Sequence, residues 1–344
     1  MTIRKQPVAM TSQTPEIPEA DFKTNFSDQV ASIEMPERIT ILEAVAFKAT
    51  FQEILVVTPS PQKIVLNFTK NTFIDSSGIG ALVTNFKAAK KKGLDLLLKN
   101  VHPQVMAVFV MNGLDQVLNI QPQTKKQTQS LSNNQESQPP ATHPSTHSLI
   151  KRLIDIIGGL VGLMITGILF IPIVMAIKLE SPGPIFFAQT RHGWLGKKFK
   201  IWKFRSMCID AEKRKSEIQN QASGAFFKNE NDPRITKVGS FLRKTSLDEL
   251  PQFWNVVRGE MSLVGTRPPT SDEVEHYDIP EWQRFDVKPG MTGEWQVNGR
   301  SQIREFEDVI KMDLRYQKNW SLAYDIKLIL KTILILFHKN SGAV

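Results

Sequence analysis

The sequence predicts a small α/β domain followed by a mixed α+β domain at a membrane surface. Three observations support this fold class. Strand and helix patterns alternate in the first third of the chain. The only long apolar run, 156–177, has basic residues on both sides. The adjacent acids Asp248 and Glu249 then lie in a strongly basic region. We therefore expect the second domain to perform chemistry at the membrane.

The composition favours anionic partners and a cytoplasmic setting. The 344 residues include 43 Lys+Arg against 34 Asp+Glu, a formal net charge of +9. This excess suits phospholipid headgroups, phosphorylated substrates or nucleic acid, but no helix-turn-helix, finger or RNP-like pattern supports nucleic acid. The single cysteine, Cys208, excludes an intramolecular disulfide and fits a reducing cytosol. Residues 1–30 lack the apolar stretch of a signal peptide, so we expect a cytoplasmic N-terminus.

The first folded unit is predicted over residues 26–120, after a flexible tail over 1–25. Its pattern alternates strands with helices, at 63–69, 76–90, 94–97 and 103–111. Such alternation indicates a layered α/β domain. The next stretch, 121–147, is rich in Gln, Ser, Thr and Pro. It cannot bury enough apolar surface to offset chain entropy, which predicts a disordered linker.

The apolar run is long enough to reach across a bilayer. Pro172 lies within it and would interrupt the helical hydrogen bonds. Because both flanks are basic, the positive-inside rule places both in the cytoplasm. A re-entrant helix-break-helix over 148–182, bent near Pro172, satisfies both flanks. One straight transmembrane helix with a tolerated proline satisfies them poorly.

The remaining residues, 183–344, form the predicted α+β domain. Near its end the apolar stretch 326–337 is broken by Lys327 and Lys331. It is too short to span a bilayer. An amphipathic helix in the membrane interface and a buried core helix are both compatible with this pattern.

The acid pair has two interpretations. Ser246 and Glu249 have the spacing of a capping box, in which both groups would serve a helix start. Pro251 would then fall in the second helical turn, where it is unfavourable. With Pro251 as the first helical residue, the acids lie just outside the helix. Spacing alone leaves a cap and a reactive centre equally open.

Cations on a strand and on stiff turns could surround a phosphate group. Residues 198–203 alternate amines with apolar side chains, which predicts a half-buried strand; a solvated charged strand is the alternative. Arg267 lies in a Gly/Pro turn, where a guanidinium is preorganised for bidentate phosphate contact. Arg300 lies on a further loop. Together these residues offer positive charge for a diphosphate.

A second motif, Asp75-Ser-Ser-Gly-Ile-Gly80, follows a predicted strand and begins a predicted helix. Asp75 is a good N-cap, and a phosphate on Ser76 would meet the positive end of the helix dipole. An ordinary N-cap turn explains the same residues. With this motif, residues 30–120 resemble a STAS domain, the anti-anti-sigma-factor fold. The resemblance implies phosphorylation at Ser76 and a regulatory protein or kinase as partner.

Residues 148–340 resemble the bacterial sugar transferases, which are monotopic polyprenyl-phosphate phosphoglycosyl transferases. The motifs that carry the resemblance are Lys151-Arg-Leu-Ile-Asp155, Ser181-Pro-Gly-Pro184, Lys203-Phe-Arg-Ser-Met207, Asp248-Glu-Leu-Pro-Gln252, Arg267-Pro-Pro269, Lys288-Pro-Gly-Met-Thr-Gly293 and Gln296-Val-Asn-Gly-Arg300. Two positions depart from the family pattern. Ile171 precedes the membrane proline where the family often has Ser, and Thr266 precedes Arg267 where it often has Pro.

This resemblance implies transfer of a sugar 1-phosphate, most similar to the hexose members, from a UDP-sugar to undecaprenyl phosphate. UMP would be released, and exopolysaccharide, capsule or O-antigen synthesis would begin. Asp248 would be the nucleophile that forms a phosphosugar-aspartyl intermediate, and Glu249 would bind Mg²⁺. The implied phosphate-binding residues are Arg267, Lys203, Arg205, Arg243 and Arg300. Asp313 and Asp325 would support either the metal or the core.

The implied location is the cytoplasmic face of the bacterial inner membrane, with both domains on that face and phospholipid as a partner. A homodimer is left open. The main alternative function is a STAS-based regulatory membrane adaptor without catalysis, which leaves the acid pair unexplained. A STAS domain linked to a transporter is disfavoured, because the chain has one apolar run instead of many.

Overall fold

The computed structural model describes residues 22–27, 29–123, 141–221, 227, 229, 231–298, 303 and 305–336. The N-terminal domain contains, in chain order, β1 (Thr24–Ser27), β2 (Val30–Glu34), β3 (Arg38–Ile39), α1 (Ile41–Val56), β4 (Lys63–Asn67), β5 (Phe73–Ile74), α2 (Ser76–Lys91), β6 (Asp95–Val101), α3 (Pro103–Asn112) and β7 (Asn119–Pro122). Five strands form one sheet in the order β1-β2-β4-β6-β7. All neighbours are parallel except β1 and β2, so the predicted α/β fold is confirmed.

The predicted boundaries of this domain need correction at both ends. Phe22 is buried and packs against Phe47, and β1 begins at Thr24, so the predicted tail is too long. At the other end, β7 includes residues 121 and 122, and a short helix covers Pro144–His147. The predicted linker is therefore too long as well. Residues 124–140 lie outside the described residues.

The C-terminal domain combines short strands with many helices. After α4 (Pro144–His147) it contains α5 (Leu149–Glu180), β8 (Phe186–His192), β9 (Lys198–Phe204), α6 (Lys237–Lys244), α7 (Gln252–Arg258), β10 (Ser262–Val264), α8 (Ser271–Glu275), α9 (Ile279–Trp282), β11 (Gly290–Thr292), α10 (Glu294–Val297), α11 (Phe306–Lys318) and α12 (Leu322–Leu336). β8 and β9 form an antiparallel hairpin, and β10 pairs with β11 in parallel. The predicted α+β character is thus present.

The long helix α5 is the one helix, among the residues described, that is long and apolar enough to cross a membrane. At 1.5 Å per residue its 32 residues extend about 48 Å. It continues through Pro172, so the predicted break does not appear as an end of the helix. Its exposed apolar side chains include Leu153, Ile157, Leu160, Met164, Ile168, Ile171 and Met175.

The start of α5 is fixed to the C-terminal domain by buried polar contacts. Lys151 Nζ lies 2.6 Å from Asp325 Oδ2, in the helix α12. Asp155 Oδ1 accepts hydrogen bonds from the hydroxyl of Ser262 and the backbone N–H of Leu263. Buried charges are stable only when paired or hydrogen-bonded. These contacts therefore explain why a basic and an acidic residue lie at the start of an apolar helix.

The middle and the end of α5 contact the same domain. Thr166 donates to the carbonyl oxygen of Leu250, and Gly162 is so close to Phe253 that a Cβ at that position would lie 2.3 Å from its ring. At the end, the Glu180 carboxylate accepts from the backbone N–H groups at the start of α6. One folded domain therefore touches both ends of the apolar helix.

The helix α12 satisfies both sequence interpretations in part. Leu328 is buried in a cluster with Val264 and Val287. The opposite side leaves Ile326, Leu330, Ile333 and Leu334 exposed. One face of the helix is thus core, and the other is an apolar surface on the outside of the domain.

The two domains share a hydrophobic core. The largest buried cluster of the N-terminal domain also contains five residues of the C-terminal domain: Leu195, Tyr277, Ile279, Trp282 and Phe285. Helix α2 packs on the segment 279–286. The N-terminal domain is therefore docked on the C-terminal domain in this structure.

Candidate active site

A cavity of about 310 Å³ lies between the β8–β9 hairpin, the turn that follows α6, and the start of α8. Its walls bring together five of the residues predicted from sequence: Lys203, Arg205, Arg243, Asp248 and Arg267. These residues are separated by up to 64 positions in the chain. The fold thus assembles an acid and four cations in one place.

Asp248 is presented by a tight turn. Leu247–Glu249 form one turn of 3₁₀-helix, and Ser246 before it has φ of 55°. A left-handed conformation is uncommon for a residue other than glycine, and such strain is often found at functional sites. Asp248 is only 5% exposed, yet it lines the cavity. Its carboxylate is therefore held in a largely dehydrated position that a ligand can reach.

The capping-box interpretation of the acid pair is wrong. The Ser246 side chain forms no cap hydrogen bond, and helix α7 begins only at Gln252, with Pro251 as its N-cap. The Glu249 carboxylate is directed instead to Lys203 in β9, with 2.9 Å between Oε1 and Nζ. The acids thus lie before the start of α7, as the second interpretation predicts, although Pro251 is the N-cap of that helix and not its first residue.

Arg267 is held at the cavity wall by a bidentate ion pair. Its two terminal nitrogens donate to both oxygens of Glu273, at 2.8 and 2.9 Å. Burial opposes the charge on Glu273, but the coulombic effect of Arg267 and Arg191 prevails and lowers the pKa of Glu273 to about 2. A carboxylate that remains ionised in this way fixes the orientation of the guanidinium at the cavity wall.

The other predicted cations differ in how they are used. Arg205 donates to the carbonyl oxygens of Ser181 and Pro182, so its guanidinium fastens the turn between α5 and β8. In the part of the chain that the structure describes, no ion pair involves Arg243, and it lines the cavity. The predicted phosphate ligand Arg300 lies outside the described residues.

Arg191 also lines the cavity, although no sequence motif had marked it as a phosphate ligand. It donates to the carbonyl oxygen of Pro268 and to Gln189 Oε1. Burial, and after it the proximity of Arg267, lower the pKa of Arg191 to about 10. Arg191 lies in the motif Phe187-Ala-Gln-Thr-Arg-His-Gly193. Gln189 and Arg191 are two positions apart on a strand and therefore share one face, and this spacing is the sequence feature that could have indicated Arg191.

Asp313 and Asp325 belong to the core. Asp313 pairs with Arg284, whose side chain is fully buried, and also accepts the backbone N–H of Arg267 at 3.4 Å. Asp325 accepts from Lys151 and from the hydroxyl of Tyr316 at 2.8 Å. Neither residue lines the cavity. Of the two roles left open by the sequence, the structure thus favours support of the core.

The cavity has donors that fit Mg²⁺. Among the described residues no group of three or more His, Cys, Asp or Glu side chains could hold a metal by itself. Mg²⁺, however, is usually bound by one or two carboxylates together with water and substrate phosphate oxygens. Asp248 supplies one such carboxylate on the cavity wall, whereas Glu249, the next residue, lies outside the cavity lining with its carboxylate on Lys203. The chemistry of the donor set is therefore compatible with the expected ion.

Ser76 lies at the boundary between the domains. Asp75 caps α2 as predicted, by accepting from the backbone N–H of Gly78 at 2.9 Å. Ser76 is fully buried, and its backbone N–H donates to Asp286 of the C-terminal domain at 3.1 Å. A modifying enzyme could not reach this hydroxyl in the docked state.

Sequence profiles of two families match the chain. The profile of the STAS domain matches residues 21–127, and that of the bacterial sugar transferases matches residues 146–339, more than half of the chain. The chain belongs to the bacterial sugar transferase family. Its N-terminal domain is a STAS domain. The sugar transferase match includes every residue that lines the cavity.

Several curated bacterial sugar transferases are similar to this chain. The galactosyl transferase CpsE of Streptococcus agalactiae is 49% identical over 193 residues, which are 56% of this chain and 43% of CpsE. The UDP-glucose:undecaprenyl-phosphate glucose-1-phosphate transferase of Escherichia coli is 43% identical, over 54% of this chain and 39% of its own length. The chain thus spans about two fifths of these sugar transferases.

A shorter relative is covered more fully. The exopolysaccharide production protein ExoY of Rhizobium meliloti is 38% identical, over 54% of this chain and 84% of ExoY. Among solved structures, an anti-sigma factor antagonist from Thermotoga maritima is similar to this sugar transferase, with 26% identity and a TM-score of 0.27. That match covers 30% of this chain and 89% of the antagonist.

Proposed function

We propose that this chain is an undecaprenyl-phosphate sugar phosphotransferase. It would transfer a hexose 1-phosphate from a UDP-sugar to undecaprenyl phosphate and release UMP. The observation that supports this most directly is the position of Asp248 in a cationic cavity. Leu250, two residues after Asp248, accepts a hydrogen bond from Thr166 in the middle of α5, so the cavity lies next to the apolar helix. A soluble anionic donor and a membrane-bound phosphate could meet at that carboxylate.

In the first step Asp248 attacks the phosphorus that bears the sugar. A bond forms between the carboxylate oxygen and phosphorus, the bond to the UMP oxygen breaks, and UMP leaves with the electron pair. Lys203, Arg243 and Arg267 line the same cavity and reduce the repulsion between the diphosphate and the attacking carboxylate. Bound at Glu249, Mg²⁺ would supply further neutralisation of the diphosphate charge.

In the second step an oxygen of undecaprenyl phosphate attacks the same phosphorus. The bond to Asp248 breaks, the carboxylate is restored, and undecaprenyl-diphospho-sugar leaves. An aromatic wall of the cavity supports entry of the acceptor from the membrane side. Phe186 and Phe187 line the cavity and are more than a third exposed, and Phe186 contacts Phe170 of α5.

The hexose specificity rests on the names of relatives. A UDP-galactose-lipid carrier transferase of Erwinia amylovora is 42% identical over 200 residues, and the Escherichia coli relative is named for UDP-glucose. We assign this chain to donors of that class.

The membrane arrangement that we propose is monotopic. Because one folded domain contacts both Lys151 and Glu180 near the ends of α5, the two ends would lie on the same side of the bilayer. The helix would re-enter the cytoplasmic leaflet of the inner membrane with its exposed apolar face toward lipid. The apolar face of α12 would lie in the interface of the same leaflet.

The STAS domain would regulate this activity. Phosphorylation of Ser76 by a kinase would require the domain to leave the buried position in which Ser76 contacts Asp286. The phosphate would add a charge of about −2. This charge would oppose redocking of the STAS domain, because Ser76 would return close to the carboxylates of Asp75 and Asp286.

The decisive experiment is UMP release by the full chain in liposomes that contain undecaprenyl phosphate and Mg²⁺, with a panel of UDP-sugars. We expect continued UMP release with UDP-glucose or UDP-galactose. Without undecaprenyl phosphate, we expect no release beyond the first turnover. If every donor fails, the chain acts instead as a STAS-based membrane adaptor. In that case vesicle binding would persist without UMP release.

A further inference from the structure

The boundary between the STAS domain and the transferase domain is built as tightly as a core. Gly80 of α2 lies against the indole of Trp282, and a Cβ at Gly80 would be 2.5 Å from its Cγ. Trp282 is 7% exposed and belongs to the same buried cluster as the STAS core. Interiors packed in this way transmit small displacements, because few voids absorb them.

Polar contacts surround this apolar centre. Lys48 of α1 lies 2.5 Å from Asp278, and Asp286 accepts the backbone N–H of Ser76. The hydroxyl of Thr142 donates to the carbonyl oxygen of Asp286 at 2.6 Å. The contacts occur along 278–286, which we call the docking segment.

The other side of the docking segment contacts the turn that carries Arg267. Arg284, two residues before Asp286, is fully buried and donates to the hydroxyl of Tyr277 at 2.6 Å and to the carbonyl oxygen of Arg267 at 3.1 Å. Its own carbonyl oxygen accepts from Thr266 at 3.1 Å. The segment that holds the STAS domain thus also holds the backbone of the Arg267 turn.

We propose that docking of the STAS domain on the segment 278–286 positions Arg267 in the transferase cavity through Arg284, so that the STAS domain strengthens donor binding from within the same chain. The proposal rests on the proposed function, since it assigns Arg267 to the donor diphosphate. Arg284 acts here as a positioning residue. The coupling involves two states of the chain, one with the STAS domain docked on the segment 278–286 and one with it undocked.

The coupling is physically reasonable because each connection is short and buried. Arg267 is held at its guanidinium by Glu273 and at its backbone by Arg284 and Asp313. If the STAS domain leaves, Trp282 loses the partner that buries it, and the docking segment can relax. The Arg267 backbone would then move, and the guanidinium paired with Glu273 would no longer be held at the same position on the cavity wall.

The test of docking uses Gly80→Leu in the full chain, which places a side chain where Trp282 lies. Lys87→Leu is the matched control, because Lys87 is exposed on the same helix. Both chains carry a specific protease site inserted within 124–140. After cleavage in nanodiscs, the two halves of the wild type and of Lys87→Leu should remain together, and those of Gly80→Leu should separate. Retained association in Gly80→Leu would overturn the docking step.

The test of coupling measures the affinity for UDP, the part shared by all the donors, by calorimetry with Mg²⁺. We expect Gly80→Leu to weaken UDP binding by roughly 2- to 30-fold, the usual range for mutations that alter coupling between sites. In an Arg267→Ala background the same change should have no further effect. In a Lys203→Ala background it should keep its full effect. Equal effects in both backgrounds would overturn the assignment of Arg267.

A second variant tests the positioning role and guards against misfolding. Replacing Arg284 itself would leave Asp313 buried without its cation, which is strongly destabilising. Tyr277→Phe instead removes one hydrogen bond to Arg284 and keeps the ring. We expect it to raise the KM for the UDP-sugar several-fold, with kcat nearly unchanged and the halves still associated. An unchanged KM and UDP affinity would overturn the Arg284 connection.

Failure of the proposed function and failure of the coupling give different results. If the wild type binds UDP but releases no UMP with any donor and lipid phosphate, the proposed function fails and the coupling data remain interpretable. If UMP release is normal and Gly80→Leu changes neither the UDP affinity nor the KM, the function stands and the coupling is wrong. Restoration of both values in Gly80→Leu/Trp282→Ala, where the new leucine fills the vacated space, would support docking as the cause.

Discussion

Lys203 and Glu249 form an ion pair, with 2.9 Å between Nζ and Oε1, beside the turn that presents Asp248. The pair is 27% and 18% exposed, so it is neither freely solvated nor sealed in the core. It draws the second acid of the motif toward β9 and leaves Asp248 on the cavity wall. The two adjacent carboxylates thereby acquire different surroundings.

Asp248→Asn should abolish UMP release. The amide cannot form the bond to phosphorus, and we expect a loss on the order of 10³-fold or more, as when the nucleophile of a covalent mechanism is removed. Asp272→Asn is the control, since Asp272 is exposed and lines the same cavity. The measurement is UMP release in liposomes with undecaprenyl phosphate. Near wild-type release by Asp248→Asn would exclude it as nucleophile.

Glu249→Gln should change the dependence on Mg²⁺. The substitution removes the anionic oxygens that we propose as a Mg²⁺ ligand, together with their pairing with Lys203. We expect the Mg²⁺ concentration for half-maximal activity to rise roughly 10-fold or more, as for other changes around metal ligands. The measurement is a Mg²⁺ titration of UMP release.

Chelation with EDTA should stop the wild type, and restored Mg²⁺ should restore it. Glu212→Gln, at an exposed acid of the same cavity, should leave the titration unchanged. Full wild-type activity in EDTA would contradict the metal assignment.

Ser76→Asp should undock the STAS domain. The new carboxylate would be buried close to Asp286 and Asp75, and burial of an unpaired like charge is unfavourable. We expect the protease-cut halves to separate, whereas Ser76→Ala, which keeps the backbone hydrogen bond, should leave them together. If phosphopeptide mass spectrometry of protein from its native cells finds Ser76 always unmodified, the proposed phosphorylation is wrong.

Docking should weaken as the pH rises. Burial raises the pKa of Asp75 to about 6 and that of Asp286 to about 7, and for Asp286 the neighbouring Asp75 adds to the effect. Separated domains would return both carboxylates to ordinary values of about 4. The docked state therefore binds more protons, so that docking is strongest below about pH 4 and weakens up to about pH 7.

Other charges also act on this pair. Glu43 further raises the pKa of Asp75, and Arg38 lowers it. The test measures dissociation of the cut halves between pH 5 and 8, where the wild type should lose affinity. Asp286→Asn removes one of the two acids and should flatten the profile. Tighter association of the wild type at pH 8 than at pH 5 would contradict the linkage.

Both ends of α5 should be labelled from the same side of the membrane. In a Cys208→Ser background, His147→Cys and Lys178→Cys provide thiols at exposed positions near the two ends. An impermeant maleimide should react with both in inverted inner-membrane vesicles, and with neither in intact cells whose outer membrane is permeabilised. Reaction of one position from each side would establish a transmembrane helix instead.

Local patterns predicted much of the STAS domain. The expected helices 76–90 and 103–111 correspond to Ser76–Lys91 and Pro103–Asn112, and Gly113 ends the second with φ of 71°. These are short-range properties, because capping residues and apolar periodicity act within a few turns. The predicted boundaries of the tail and the linker were wrong because they depend on long-range contacts. Phe22 packs against Phe47, and Thr142 donates a hydrogen bond to Asp286.

The sequence by itself determined the family motifs, the acid pair, the net charge and the apolar run. Tertiary structure alone decided that Glu249 turns to Lys203, that Arg205 fastens a turn, and that Arg191 joins the cavity. It also decided that Ser76 is buried against Asp286. The physical reason is that spacing along the chain fixes which residue types are available, whereas burial and long-range packing fix what each side chain contacts.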